Sequence, residues 1–386
     1  MPKQNPFTPT FGAPPPLMVG RDDIIERVLA ALHRGPRHPD YTLLLTGRRG
    51  TGKTALLDAI EAAARNEGWL TVSATASAPE LGAQLRHELS ALAEGLQQDP
   101  KMRLASAQAF GFGVSWGKDR PTHRPSLHEL SLRGMLTGIT DMLEQSADKK
   151  SADGRGLLIT LDEFHAAEQR EARELAATIQ HVTRREQRPV ALVLAALPEI
   201  TETVLADPGM TFFHRCARGE IGLLDYGATE TALQVPIREA AGSIDTGALD
   251  LATRVSGGYP FMVQLVGFHG WESCTESLKH LGINDIHEGI FEADQALTDM
   301  LLMPLWSALS PTDRDILRHI AVNDGPIGVA ALAAAVGKSP SYINTYRRRL
   351  LRAGAVTAPD RGVLDVRDPT MRRWLQGLRP IADFDE

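Results

Sequence analysis

Apolar positions follow two rhythms along this chain. Through the first 224 residues, short continuous apolar runs at 43–45, 69–73, 156–163 and 189–196 have the length and composition of buried strands, and 220–224 reads as a further short one. Between them, apolar residues recur at helical spacing over residues 24–32, 55–64, 81–96, 127–143 and 168–185. Residues 107–117 alternate apolar and small side chains, which predicts a hairpin or edge strand. From residue 228 the pattern is helical only, over 229–241, 246–255, 260–279 and 285–302. The last part carries three short helices, 313–321, 329–336 and 340–353, then strand-like pieces at 355–358 and 362–366. Strands alternating with helices predict an α/β architecture whose parallel sheet is sandwiched by helices. An all-helical piece and a helix–helix–turn–helix with a two-stranded wing should follow it.

These rhythms predict a flexible N-terminal segment at 1–16, rich in Pro, Thr and Gly, and an α/β core at 17–227. A helical lid follows at 228–303, a winged helix at 304–379 and an acidic tail at 380–386. The polar stretch 146–155 reads as a surface loop.

The densest chemistry lies in Gly47-Arg48-Arg49-Gly50-Thr51-Gly52-Lys53-Thr54, which matches G-x-x-x-x-G-K-[ST], the phosphate-binding loop. The match sits between a predicted strand and a predicted helix, as the motif requires. Glycines let backbone N–H groups turn around a polyphosphate, and the helix N-terminus adds its positive end. Lys53 can reach the β- and γ-phosphates, and the Thr54 hydroxyl can ligate Mg²⁺. The plainer reading is a Gly-rich turn before a helix. About a hundred residues on, the strand Leu157-Leu158-Ile159-Thr160-Leu161 ends in Asp162-Glu163. Asp162 is expected beside Thr54 to orient the Mg²⁺ shell, and Glu163 to polarise an attacking water. This pair favours hydrolysis over phosphoryl transfer to a second substrate. His165 reads either as a sensor or as a surface residue at a helix start.

The strand at 189–196 ends in Ala195-Ala196, where many ATPases place a polar γ-phosphate sensor. Arg215, just before the last core strand, reads as a finger presented to a neighbouring copy's nucleotide or as a solvated surface group; Arg218 is the other arginine here. In the third C-terminal helix, Ser341, Tyr342, Asn344, Arg347, Arg348 and Arg352 are candidates for DNA contact. Three consecutive arginines cannot share one helical face, so only some can reach DNA. Asp360, Asp365 and Asp368 around the wing keep protein docking open as the alternative.

Bulk properties narrow these readings little. The 386 residues are 43% hydrophobic and 23% charged, as in a soluble globular protein of two or three domains. A net charge of −7 argues against a coat of nucleic acid but can hide a local basic face. Two cysteines, Cys216 and Cys274, leave no disulfide framework and fit a reducing cytosol. No apolar h-region opens the chain, and no run approaches the ~18 residues needed to cross a bilayer. The twelve histidines include no H-E-x-x-H. A cytoplasmic protein without a membrane partner is expected.

With these elements in this order, residues 16–375 resemble the AAA+/STAND ATPases, in particular the archaeal-initiator-like and origin-recognition-like group with a C-terminal winged helix. The specific elements are Val19-Gly20-Arg21-Asp22, the phosphate loop, Leu157–Glu163, and Gly257-Gly258-Tyr259-Pro260-Phe261. The resemblance implies a Mg²⁺-dependent ATPase with ATP or ADP as ligand, and it sets Val19, Gly20, Tyr259 and Pro260 near the adenine. It also implies double-stranded DNA or a protein as partner of the winged helix, and a nucleotide-dependent homo-oligomer. Two departures, the missing sensor at Ala195-Ala196 and Gly-Tyr-Pro where initiator-type proteins place a sensor arginine, imply slow hydrolysis and a switch rather than a motor. The alternative is a DNA-binding regulator whose nucleotide is structural and rarely hydrolysed.

Overall fold

The computed structural model describes residues 4–10, 15–76, 80–98, 130–146, 156–201, 203–275, 279–367 and 369–377. The edge strand or hairpin expected at 107–117, most of the loop at 146–155 and the acidic tail lie outside the described residues. The chain divides into two compact units, Gly20–Gly222 and, together, Met1–Val19 with Leu223–Glu386.

The first unit is built on five parallel strands, β1 (Thr42–Gly47), β2 (Leu70–Thr75), β3 (Leu157–Asp162), β4 (Val190–Ala196) and β5 (Ala217–Ile221). They run in the order β2-β3-β4-β1-β5. The continuous apolar runs form the central strands because both of their faces are covered: all seven residues of β4 and the first five of β3 are buried. Alternation divides them between two cores. Leu44, Ile159, Leu161, Leu192 and Leu194 face one side, while Leu43, Leu45, Leu158, Ala191 and Val193 face the other. Helices α1 (Asp22–Arg34) and α2 (Lys53–Asn66) supply the cover for the second face. Helices α3 (Leu81–Gln98), α4 (Leu132–Ser146) and α5 (Gln169–Gln180) supply it for the first.

One strand differs from expectation. In place of a strand over 220–224, β5 spans Ala217–Ile221, paired Leu43↔Ala217 to Gly47↔Ile221. Leu223 is exposed and Leu224 packs in the other unit, donating its N–H to the Gly258 carbonyl at 2.7 Å. The chain leaves the sheet unit at Gly222, so the apolar Leu223-Leu224 is not strand.

In the second unit the helices α7 (Tyr226–Glu239), α8 (Thr246–Ser256), α9 (Pro260–Ser273) and α10 (Ile283–Leu297) surround one apolar core; α6 is the short helix Thr211–His214 before β5. The helical pattern is interrupted by a two-residue parallel pair, β6 (Ser243–Ile244) with β7 (His280–Leu281). The helix expected to reach 279 ends at Ser273. The N-terminal segment also departs from expectation in its described part. Phe7 is buried in this core against Gly267, where a Cβ would meet its ring at 2.5 Å. Asn5 donates from Nδ2 to the Phe268 carbonyl at 3.0 Å and to Glu272 at 2.7 Å. Residues 4–10 are anchored because one aromatic fills a hole that a glycine leaves.

A second core in this unit, from Leu302 to Met371, gathers α12 (Pro311–Val322), α13 (Val329–Val336) and α14 (Pro340–Arg352); α11 is the short helix Met303–Ala308. Beside them lies an antiparallel sheet of β8 (Ile327–Gly328), β10 (Val363–Val366) and β9 (Val356–Thr357), in that order. Ser310 caps α12 and forms a capping box with Asp313. Among the described residues no helix is long and apolar enough to cross a membrane.

Candidate functional site

Loop 48–52 turns at the C-terminal edge of the sheet, where open parallel sheets place their ligands. Gly52 enters α2 at φ 84°, a conformation that other residues avoid. A Cβ on Gly47 would stand 2.7 Å from the Ile221 carbonyl and 2.8 Å from Thr51 Oγ1, so only glycine fits. The Thr51 hydroxyl and the Lys53 ammonium both donate to the Arg48 carbonyl, at 2.8 and 2.9 Å. Thr51 and Lys53 are buried, while the side chains of Arg48 and Arg49 are exposed and Gly50 is half-buried at φ 72°. A glycine-only cradle at a helix N-terminus can hold a polyphosphate.

The sheet order puts β4 between β1 and β3, so Thr54 reaches Asp162 across the end of β4. Its hydroxyl donates to Asp162 Oδ2 in a short hydrogen bond. Asp162 Oδ1 accepts the Glu163 N–H at 2.7 Å, so both carboxylate oxygens are engaged. Hydroxyl and carboxylate together can hold Mg²⁺, which takes few protein ligands beside phosphate oxygens. Among the described residues, no three His, Cys, Asp or Glu side chains form a separate metal cage.

Glu163 itself lies at φ 51°, ψ 31°, the left-handed region. Sequence reasoning missed the support behind this cluster. Buried Glu61 of α2 accepts from the Thr160 hydroxyl of β3 and pairs with Arg65 at 3.1 Å, fixing α2 to the strand that carries Asp162. No local signal announces it, because Glu61 and Thr160 are 99 positions apart. Asp58, one turn after Thr54, is pushed above the usual carboxylate range by burial and then by the negative charges of Glu61 and Asp162.

The other predicted residues are placed as follows. Ala195 and Ala196 are fully buried at the end of β4. His165 is neither exposed nor distant: its ring lies between Glu163 and the end of β4. Arg215 is exposed before β5, at the opposite edge of the sheet from the loop. It lines a cavity of about 480 Å³ with Arg184, Tyr41 and Cys216, whose thiol burial pushes up to about 12. Gly20 opens the sheet unit at φ 63°, while Val19, Tyr259 and Pro260 belong to the other unit, where Pro260 opens α9. On α14, Ser341, Asn344, Thr345, Arg348 and Arg352 are exposed at helical spacing along one face. Tyr342 and Arg347 are half-buried off that face, and Tyr342 packs on Tyr346 with centroids 4.8 Å apart.

Residues 17–194 match the family model described as AAA ATPase domain, and residues 299–375 match one described as Domain of unknown function (DUF8462). None of the curated proteins matches the chain. The Walker-type ATPase of Pyrococcus abyssi is similar in structure over 93% of this chain and 96% of its own, with TM-score 0.63 at 16% identity. The ORC2 protein of Aeropyrum pernix, solved in ADPNP–ADP complexes, is similar over 96% of each chain, with TM-score 0.57 at 14% identity. At those identities the likeness is one of fold. The chain has the P-loop NTPase fold, and residues 17–194 of it match the AAA ATPase domain.

Proposed function

We propose that the protein is an ATP-dependent conformational switch of the AAA+/STAND kind, which hydrolyses ATP slowly and couples nucleotide state to a C-terminal winged helix. The observation that carries this reading is the cluster at one sheet edge: the glycine-only cradle, Lys53, Thr54 hydrogen-bonded to Asp162, and Glu163 beside them. Lys53 would counter phosphate charge, and Thr54 with Asp162 would hold the metal. Bound Mg²⁺ would neutralise charge developing on the phosphates. Glu163 accepts the proton of the attacking water. The adenine contacts of Val19, Gly20, Tyr259 and Pro260 rest on the resemblance alone.

Lys53→Ala should abolish ATP binding. Glu163→Gln should bind ATP normally and lose turnover by about 10²-fold or more. Equilibrium binding and phosphate release measured on both variants test this, and wild-type turnover in Glu163→Gln would remove the assignment.

Three helices and a three-stranded antiparallel sheet are read as the winged helix, with duplex DNA as its ligand through the exposed face of α14. A partner protein is the competing ligand. The two buried alanines ending β4 favour a second reading, a DNA-binding regulator whose nucleotide is structural. Phosphate release from the wild-type protein, with and without duplex DNA, separates the two.

A further inference from the structure

We propose that His165 is the positioning residue for Glu163 and couples it to the end of β4, where Ala195 and Ala196 leave no polar side chain. The inference rests on the reading of Glu163 as the base. After Asp162 the chain makes a tight turn, Phe164–Ala166, closed by the Ala166 N–H donating to the Glu163 carbonyl at 2.8 Å. Phe164 is fully buried and meets the Phe213 ring edge-on at 5.0 Å, which pins the turn. His165 is therefore carried on a fixed backbone, and its side chain is 15% exposed.

The ring faces Leu197 with one nitrogen and Glu163 with the other. The Leu197 N–H, just past β4, lies 3.3 Å from Nδ1, and Nε2 lies 3.3 Å from Glu163 Oε2. A backbone N–H can only donate, so Nδ1 is the acceptor and the neutral ring carries its proton on Nε2. That nitrogen faces one carboxylate oxygen of Glu163 at 3.3 Å, an ion-pair distance, and leaves the other oxygen for water. A base with a second group fixing its direction is the arrangement that proton abstraction needs. Glu163 has particular use for such a group, because its backbone stands in the left-handed region and its side chain is 32% exposed. A wandering carboxylate would spend little time aimed at a water. The Leu197 contact gives the arrangement its second end: displacement of the β4 terminus moves the ring, and with it the base.

Three substitutions separate the two ends. His165→Asn keeps an acceptor near Leu197 and is too short to reach Glu163; His165→Gln restores a donor at the Nε2 position; His165→Ala removes both. Turnover at saturating ATP should fall about tenfold in the Ala and Asn variants, with ATP affinity and melting temperature close to wild type. His165→Gln should recover at least half of the lost rate. In a Glu163→Gln background, His165→Ala should cost nothing further, since there is no base left to aim. Unchanged or faster turnover in the Asn variant, weakened ATP binding in step with the rate, or no recovery with Gln would each overturn the proposal. Should His165→Ala fail to fold, the Asn and Gln pair carries the test alone. A fully active Glu163→Gln protein would fail the proposed function itself; an inactive one beside a fully active His165→Asn would fail only this inference.

Discussion

Three consecutive arginines, Arg347, Arg348 and Arg349, meet three different fates on α14. Arg348 is exposed and Arg347 is half-buried. Arg349 donates at 2.7 Å to Asp313 Oδ2, which also accepts from the Ser310 N–H and hydroxyl at 3.2 and 2.5 Å. The Asp313 side chain is only 3% exposed, so it depends on these partners. Replacing Arg349 with Ala leaves a buried carboxylate short of its one cationic partner among the described residues, and should cost about 1–3 kcal/mol by chemical denaturation. Arg348→Ala should stay within about 0.5 kcal/mol of wild type. Of the three arginines that the sequence offers together, one is thus already spent on the fold.

At the scale of elements, the exposed face of α14 is defined enough to test. If it lies on DNA, replacing Arg348 and Arg352 together should weaken binding at every sequence. The slope of log affinity against log salt should fall by roughly one for each phosphate no longer neutralised. Unchanged retention on duplex DNA after that double substitution would leave protein docking. The elements themselves were legible where burial is two-sided or periodicity long. The apolar runs of β3 and β4 and the motif between β1 and α2 needed nothing beyond the chain's own pattern. Legibility failed at short pieces. Strand β8 has two residues and no pattern to show, and β5 was shifted because Leu223-Leu224 is apolar for a reason belonging to the other unit. The candidate site was legible as a grouping of Lys53, Thr54, Asp162 and Glu163, which carry local motifs. It was not legible at Glu61 or at the place of His165, whose partners Thr160 and Leu197 come from distant stretches of chain.

For the whole molecule, the position of Arg215 decides which experiments inform. Paired strands β1 and β5 set it at the sheet edge away from the phosphate loop, with roughly 13 Å of strand between. It cannot serve the loop of its own copy. Turnover per chain should therefore climb with protein concentration if Arg215 completes a neighbour's site, and Arg215→Ala should abolish the climb while leaving the dilute rate unchanged. A flat rate would make each chain a self-contained switch awaiting DNA or a partner. The unit that holds α14 also takes in residues 1–19 from the other side of the sheet unit in sequence, and this has a consequence for how the protein is made. Phe7 leaves the ribosome before the sheet unit, but Gly267, which receives it, follows about 260 residues later. At ordinary elongation rates that is a wait of roughly 10–50 s. During it the sheet unit has been synthesised complete, while the aromatic ring has nowhere to go. The order of assembly is thereby written into the topology: the sheet unit can mature first, and the helical core that receives Phe7 is closed after it, by residues that precede the sheet unit in the chain.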